Sequence, residues 1–251
     1  MLDIKNLTVT LSGKEILKDI SFTVRPHTLT CIIGKNGSGK STLLSALVCT
    51  VKYKGKISFC DKDLVLMKSK ERAKLISMLP QTLPTVSINA EELVRMGRIP
   101  YLDAGQRFST EDEKAVENAI EKTDIKHLKS RRVDRISGGE RQKVYLAMVL
   151  AQQTRIIAFD EPATYLDTEH KKEVYRALKS LKADEKKTIL AVMHDISEAV
   201  EMADNILLLD GGRVVFFGAA EDCVSSGLIE KTFNVKKYEY EAEEGKRILY
   251  K

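Results

Sequence analysis

Apolar and polar positions alternate through "LDIKNLTVTL" and again through "EILKDISFTV", as in strands with one covered face, and "GKISFC" adds a third candidate. Together these predict a small antiparallel sheet. The apolar, strand-like run Leu29 to Ile33 then breaks into glycines and resumes with helical spacing at Leu43, Leu44 and Leu47. A second such run, Ile156, Ile157 and Phe159, ends in the acids Asp160 and Glu161. More than a hundred residues separate Gly34 from Asp160, more than one crossover between parallel strands consumes. That interval carries helical patterns at 69 to 76, 89 to 96, 110 to 122 and 139 to 151, broken by the turn-prone "GRIPYLDAGQ" with Gly97, Pro100 and Gly105. The pattern predicts a mostly helical insert over Thr82 to Ala151, hung off an α/β core. After "GGRVVFFGAAEDC" it predicts a strand, a turn and a short helix through Phe233, then a peripheral strand or loose end in "KKYEYEAEEGKRILYK". No heptad run is sustained.

Composition narrows the class only slightly. With 251 residues and 43% hydrophobic content the chain can build a proper core. Its 41 basic and 36 acidic residues leave a net charge of +5, which suits an anionic ligand but falls short of the concentrated basic face of a nucleic-acid binder. No apolar stretch is long enough to span a bilayer, and two charges interrupt the first five residues, unlike a secretory signal. Cys31, Cys49, Cys60 and Cys223 share no metal-like spacing, so buried, reduced thiols in a cytosolic protein are expected.

The chemistry lies in three segments. In "GKNGSGKST" a strand, a glycine loop and a helix follow one another, the context a phosphate-binding loop needs. Gly34, Gly37 and Gly39 allow the backbone N–H groups of the loop, which includes Lys35, Asn36 and Ser38, to converge on one anion. Lys40 adds a positive charge for the β- and γ-phosphates of a nucleotide, Ser41 a hydroxyl for Mg²⁺, and Thr42 closes the motif. In "RIIAFDEPATYLD" the strand end would present Asp160 to Mg²⁺ and Glu161 as a base toward an attacking water. In "ISGGERQKV", Ser137 and Glu140 fit a capping box, as do Thr110 and Glu113 in "STEDEKAV". A cap needs no glycine. Gly138 and Gly139 therefore ask for a second reason, which a phosphate approaching bare helix-end amides supplies.

With these motifs in this order and spacing, nearly the whole chain resembles the nucleotide-binding subunits of ATP-binding cassette transporters. The resemblance implies an α/β fold: a P-loop NTPase (RecA-like) core with an antiparallel β subdomain and an inserted helical subdomain. It implies one domain in four parts, 1–81, 82–151, 152–220 and 221–251. Gln81 in "SMLPQ" matches the family's glutamine loop, where it touches Mg²⁺ or water, Asp167 in "TYLD" its D-loop, and His194 in "TILAVMHD" its switch histidine. Ser137, Gly138 and Gly139 would face the γ-phosphate bound by a second copy, so that two chains pack head to tail around two ATP molecules. Catalysis would rest on Glu161, His194 and Lys40.

"VRMGRIPYLD", "SGGERQKVYLAMVLAQ" and "LDTEHKKEV" are similar to the subgroup serving uptake of iron–siderophore complexes, haem or vitamin B12. Membrane permease subunits and an extracellular binding protein are the partners this implies, with the chain at the cytoplasmic face. A soluble cassette serving iron–sulfur assembly is the alternative, which copurification with a membrane protein would separate. Three positions depart from the family pattern: Leu11 stands where an aromatic ring usually lies under adenine, Ala163 replaces a threonine beside the acids, and His27 occupies a glycine's place in a turn.

Overall fold

A computed structural model describes the backbone of residues 1–103, 105–164, 168–242 and 245–251, and the side chains of all these except 168–170, 242, 245 and 246. Two sheets build most of it. The first comprises β1 (Leu2–Leu11), β2 (Lys14–Val24), β4 (Lys54–Phe59) and β5 (Lys62–Asp63), antiparallel in the order β2-β1-β4-β5. The second contains β3 (Leu29–Gly34), β6 (Ile76–Leu79), β7 (Ile156–Asp160), β8 (Thr188–Val192), β9 (Asn205–Asp210) and β10 (Arg213–Ala219), ordered β10-β9-β3-β8-β7-β6. Five of its strands run parallel, with β10 antiparallel at one edge.

Every residue of β3, β7 and β8 is buried, as strands covered on both faces must be. The two faces divide the core. Cys31, Ile33, Ile157 and Phe159 point toward a cluster shared with the inserted helices, whereas Ile32, Ile156 and Ala158 point toward one shared with the antiparallel sheet and α1 (Lys40–Leu47).

The interval between β5 and β7 holds α2 (Ser69–Leu75), then α3 (Ala90–Met96), α4 (Thr110–Lys122) and α5 (Gly138–Ala151). The last three pack on one another. A buried ion pair pins them: Arg98, 2% exposed, gives its Nε to Asp112 Oδ1 at 2.8 Å and its Nη1 to the Ala151 carbonyl at 3.0 Å. Beyond β7 come α6 (Thr168–Ala183), α7 (Ile196–Met202), α8 (Ala220–Ser225) and α9 (Leu228–Phe233). The chain ends in a hairpin, β11 (Lys237–Ala242) with β12 (Gly245–Tyr250), held to α7 where Tyr250 N donates to Ser197 Oγ at 3.1 Å.

Three expectations need correction. The capping box of α4 is Ser109 with Asp112, one residue before Thr110 and Glu113, because Ser109 keeps the extended backbone of a cap. The tail is a closed hairpin rather than a lone strand or loose end, preceded by two short helices. Of the four free cysteines only Cys31 and Cys223 are buried; Cys60 is exposed, in the left-handed turn that joins β4 to β5. His27 does adopt the glycine-like conformation, φ +61°, and its backbone N–H donates to Thr188 Oγ1 at 3.0 Å. No helix among the described residues is long and apolar enough to cross a membrane.

Candidate active site

Four strand ends meet along one rim. Gly34 ends β3, Val192 ends β8 two residues before His194, Asp160 ends β7, and Leu79 ends β6 two residues before Gln81. Since the sheet runs β3-β8-β7-β6, these ends are neighbours, at the carboxyl side of parallel strands where ligands of such sheets sit. Residues just beyond them, Asn36, Gln81, Glu161 and His194, line a cavity of about 580 Å³.

The loop on one side of it requires glycine where the backbone comes close to other elements. A side chain at Gly34 would place Cβ 2.2 Å from the Leu209 carbonyl oxygen of β9, and Gly39, φ +100°, caps α1 with Leu17 Cδ2 2.5 Å from where a Cβ would be. Ser38 N donates to the Lys35 carbonyl at 3.1 Å, closing a turn. The Ser38 hydroxyl is buried and has no partner. Lys40 follows as the first residue of α1, 6% exposed, with Nζ donating to the carbonyls of Gly34 at 2.8 Å and Lys35 at 3.1 Å. Burial lowers its pKa, and the charges of Glu161 and Asp160 oppose that. Asn36, Gly37, Ser41 and Thr42 line the cavity beside it.

Across the cavity Asp160 and Glu161 go different ways. Asp160 is buried and accepts from Ser41 Oγ at 3.0 Å; burial raises its pKa, partly offset by that hydrogen bond, and Glu161's charge raises it further. Glu161 has the left-handed φ of +52°, and its N–H donates to Val192 O at 3.2 Å. Its carboxylate is held on three sides: Oε1 faces His194 Nε2 at 2.5 Å, while Oε2 accepts from Gln81 Nε2 at 2.5 Å and Thr164 Oγ1 at 3.1 Å. Gln81 therefore touches the glutamate, not the Ser41–Asp160 pair.

Ser137, Gly138 and Gly139 lie elsewhere. Ser137 caps α5, its Oγ accepting from Glu140 N at 3.2 Å while Glu140 Oε2 accepts from Ser137 N at 2.8 Å. Ser137 and Gly138 are exposed, a Cβ at Gly138 would meet nothing within 4 Å, and none of the three lines the cavity. The chain thus carries a bare helix end that its own phosphate loop does not use. Asp167 lies outside the described residues.

Two cavity residues escape sequence reasoning. Ile16 of β2 forms its apolar wall, whereas Leu11 is 40% exposed before the tight turn at Ser12 and Gly13 and does not reach it. Thr164 is the other. Its position three residues beyond Glu161, across a proline, is the signal that could have found it.

The comparisons agree with this geometry. The family model for ABC transporters matches residues 17–164. The ferric enterobactin transport ATP-binding protein FepC of Escherichia coli (strain K12) is 35% identical over 235 residues, 92% of this chain and 86% of that protein. The petrobactin import ATP-binding protein FpuD of Bacillus anthracis is 35% identical over 237 residues, 94% of this chain and 87% of that one. A dimeric structure of the cassette MJ0796 in a post-hydrolysis state, bound to ADP and Pi, superposes with a TM-score of 0.77 at 25% identity, covering 88% of this chain and 99% of that one. The phosphate loop, the paired acids at the next strand end and these likenesses place the chain in the ABC transporter family, as an ATPase subunit.

Proposed function

We propose that this chain powers an importer for an iron chelate, working at the cytoplasmic face of the membrane beneath separate permease subunits. The observation that carries the enzymatic part is the convergence of Lys40, the Ser41–Asp160 pair and Glu161 on one cavity that leaves Ser137 and Gly138 outside. The cargo rests on the relatives named for ferric enterobactin and petrobactin.

The triphosphate enters the loop, where Lys40 exchanges two carbonyl partners for phosphate oxygens and the α1 N-terminus adds its amides. The hydroxyl of Ser41 and the carboxylate of Asp160, already 3.0 Å apart, are hard oxygen ligands of the kind Mg²⁺ takes together with phosphates. Mg²⁺ held there would neutralise part of the triphosphate's negative charge. Glu161 orients and deprotonates the attacking water, and His194 contacts the γ-phosphate. Gln81, now on Glu161 Oε2, must release that oxygen for the water, so its movement links the base to the inserted helices beyond it.

Two copies complete the site. Ser137, Gly138 and Gly139 of each face the γ-phosphate held by the other, and the amides freed of side chains stabilise the charge that builds there. An extracellular binding protein delivers the chelate to the permease. The test is isolation of the tagged chain from its native membrane: an integral membrane protein copurifies, and Lys40→Ala abolishes uptake of radiolabelled ferric chelate. Recovery of the chain with no membrane protein, and uptake unchanged in the variant, would instead favour a soluble scaffold ATPase.

A further inference from the structure

Glu161 stands on a short turn. The Thr164 N–H donates to the Glu161 carbonyl at 3.2 Å, folding residues 161 to 164 back on themselves, with Pro162 inside. Glu161 itself sits at φ +52°, a strained conformation for a residue with a side chain, which persists only where neighbours hold it. Two neighbours do. The Thr164 hydroxyl reaches Glu161 Oε2 at 3.1 Å, and the side-chain amide of Gln142 donates to the Pro162 carbonyl. Gln142 belongs to α5, one helical turn beyond Gly138. Ala163 offers no hydroxyl here, and Thr164 supplies one from the next position.

We propose that Thr164 and Gln142 are positioning residues for Glu161: the threonine fixes the carboxylate, and the glutamine braces the turn that carries it against α5. Gln142 does not line the cavity, and Thr164 stands at its wall with its hydroxyl turned to the carboxylate. Both act through the glutamate, so the inference rests on Glu161 being the base. A carboxylate held by one fewer donor samples more orientations, and a misplaced base lowers the rate of the chemical step without weakening the grip on the triphosphate.

Steady-state phosphate release by purified Thr164→Val, Thr164→Ser, Gln142→Leu and Glu161→Gln, with nucleotide affinity and melting temperature measured alongside, tests this. Thr164→Val is expected to lose about tenfold in kcat, the loss of one hydrogen bond to a charged group, with KM within about twofold. Thr164→Ser restores kcat to within about twofold, and Gln142→Leu repeats the kcat-only loss. Wild-type kcat in Thr164→Val, a loss confined to KM, or failure of serine to rescue overturns the proposal. Should Thr164→Val not fold, Thr164→Ser and Gln142→Leu decide: near-wild-type kcat in Ser with a kcat-only loss in Leu supports it, and any other pair of results overturns it. Glu161→Gln separates the two levels. If it is inactive while Thr164→Val is normal, only the positioning role falls; if it still turns over, the assignment of the base falls.

Discussion

At the scale of single residues, the adjacent acids show how neighbours can differ in kind. Asp160 points back to Ser41 and Glu161 forward into the cavity, because the left-handed backbone at Glu161 redirects its side chain. Glu161→Gln keeps the size but turns one of the two accepting oxygens into an NH₂ donor and removes the proton acceptor. Turnover is expected to fall by about 10²–10⁴-fold with ATP affinity unchanged, measured by phosphate release and equilibrium binding. Asp160 is costly to the free protein, since burial raises its pKa above the usual carboxylate range. A carboxyl whose folded pKa is raised loses stability as pH rises through that value, so Asp160→Asn should melt higher than the wild type at neutral pH. The gap should close as pH falls toward the ordinary carboxylate range, in thermal scans without nucleotide; a wild type that melts higher at neutral pH would contradict this. The loop lysine, its serine and both acids were legible because fixed spacing carries their chemistry. Ile16 was not, since one apolar residue in an alternating strand looks like any other, and only the fold brings it to the cavity.

At the scale of elements, periodicity located the helices of the insert within a residue, yet missed what joins them. Serine and threonine at 109 and 110, with acids at 112 and 113, offer two equivalent capping boxes in the sequence. The tertiary partner chooses: Asp112 also receives Arg98, so the cap and the buried ion pair share one carboxylate. Burial opposes its ionisation, and hydrogen bonds from Ser109 and Arg98 outweigh that, holding Asp112 below the usual carboxylate range. Removing one partner strands a buried charge, so Asp112→Ala should cost about 3–5 kcal/mol in chemical denaturation, against about 1 kcal/mol for Ser109→Ala. Equal losses would mean that the cap, not Arg98, is what Asp112 serves. The terminal hairpin was unreadable for a related reason. Its charged, alternating residues suit a loose strand as well as a paired one, and its contact with α7 at Ser197 spans 53 positions of sequence.

At the scale of the whole molecule, the chain holds two separate features: a cavity lined by Lys40, Ser41 and Glu161, and an exposed glycine-bearing helix end that does not line it. Both find a purpose if the exposed end of each copy closes over the other's triphosphate. Association then depends on nucleotide, because the bound γ-phosphate is the shared contact, and hydrolysis removes it. Sedimentation of the hydrolysis-deficient Glu161→Gln protein, with and without Ser137→Arg, tests this most directly. With saturating ATP the single variant should sediment as a dimer and with ADP as a monomer, while the double variant binds ATP normally and stays monomeric. A single variant that remains monomeric in ATP, or a dimer indifferent to arginine at position 137, would contradict the shared site.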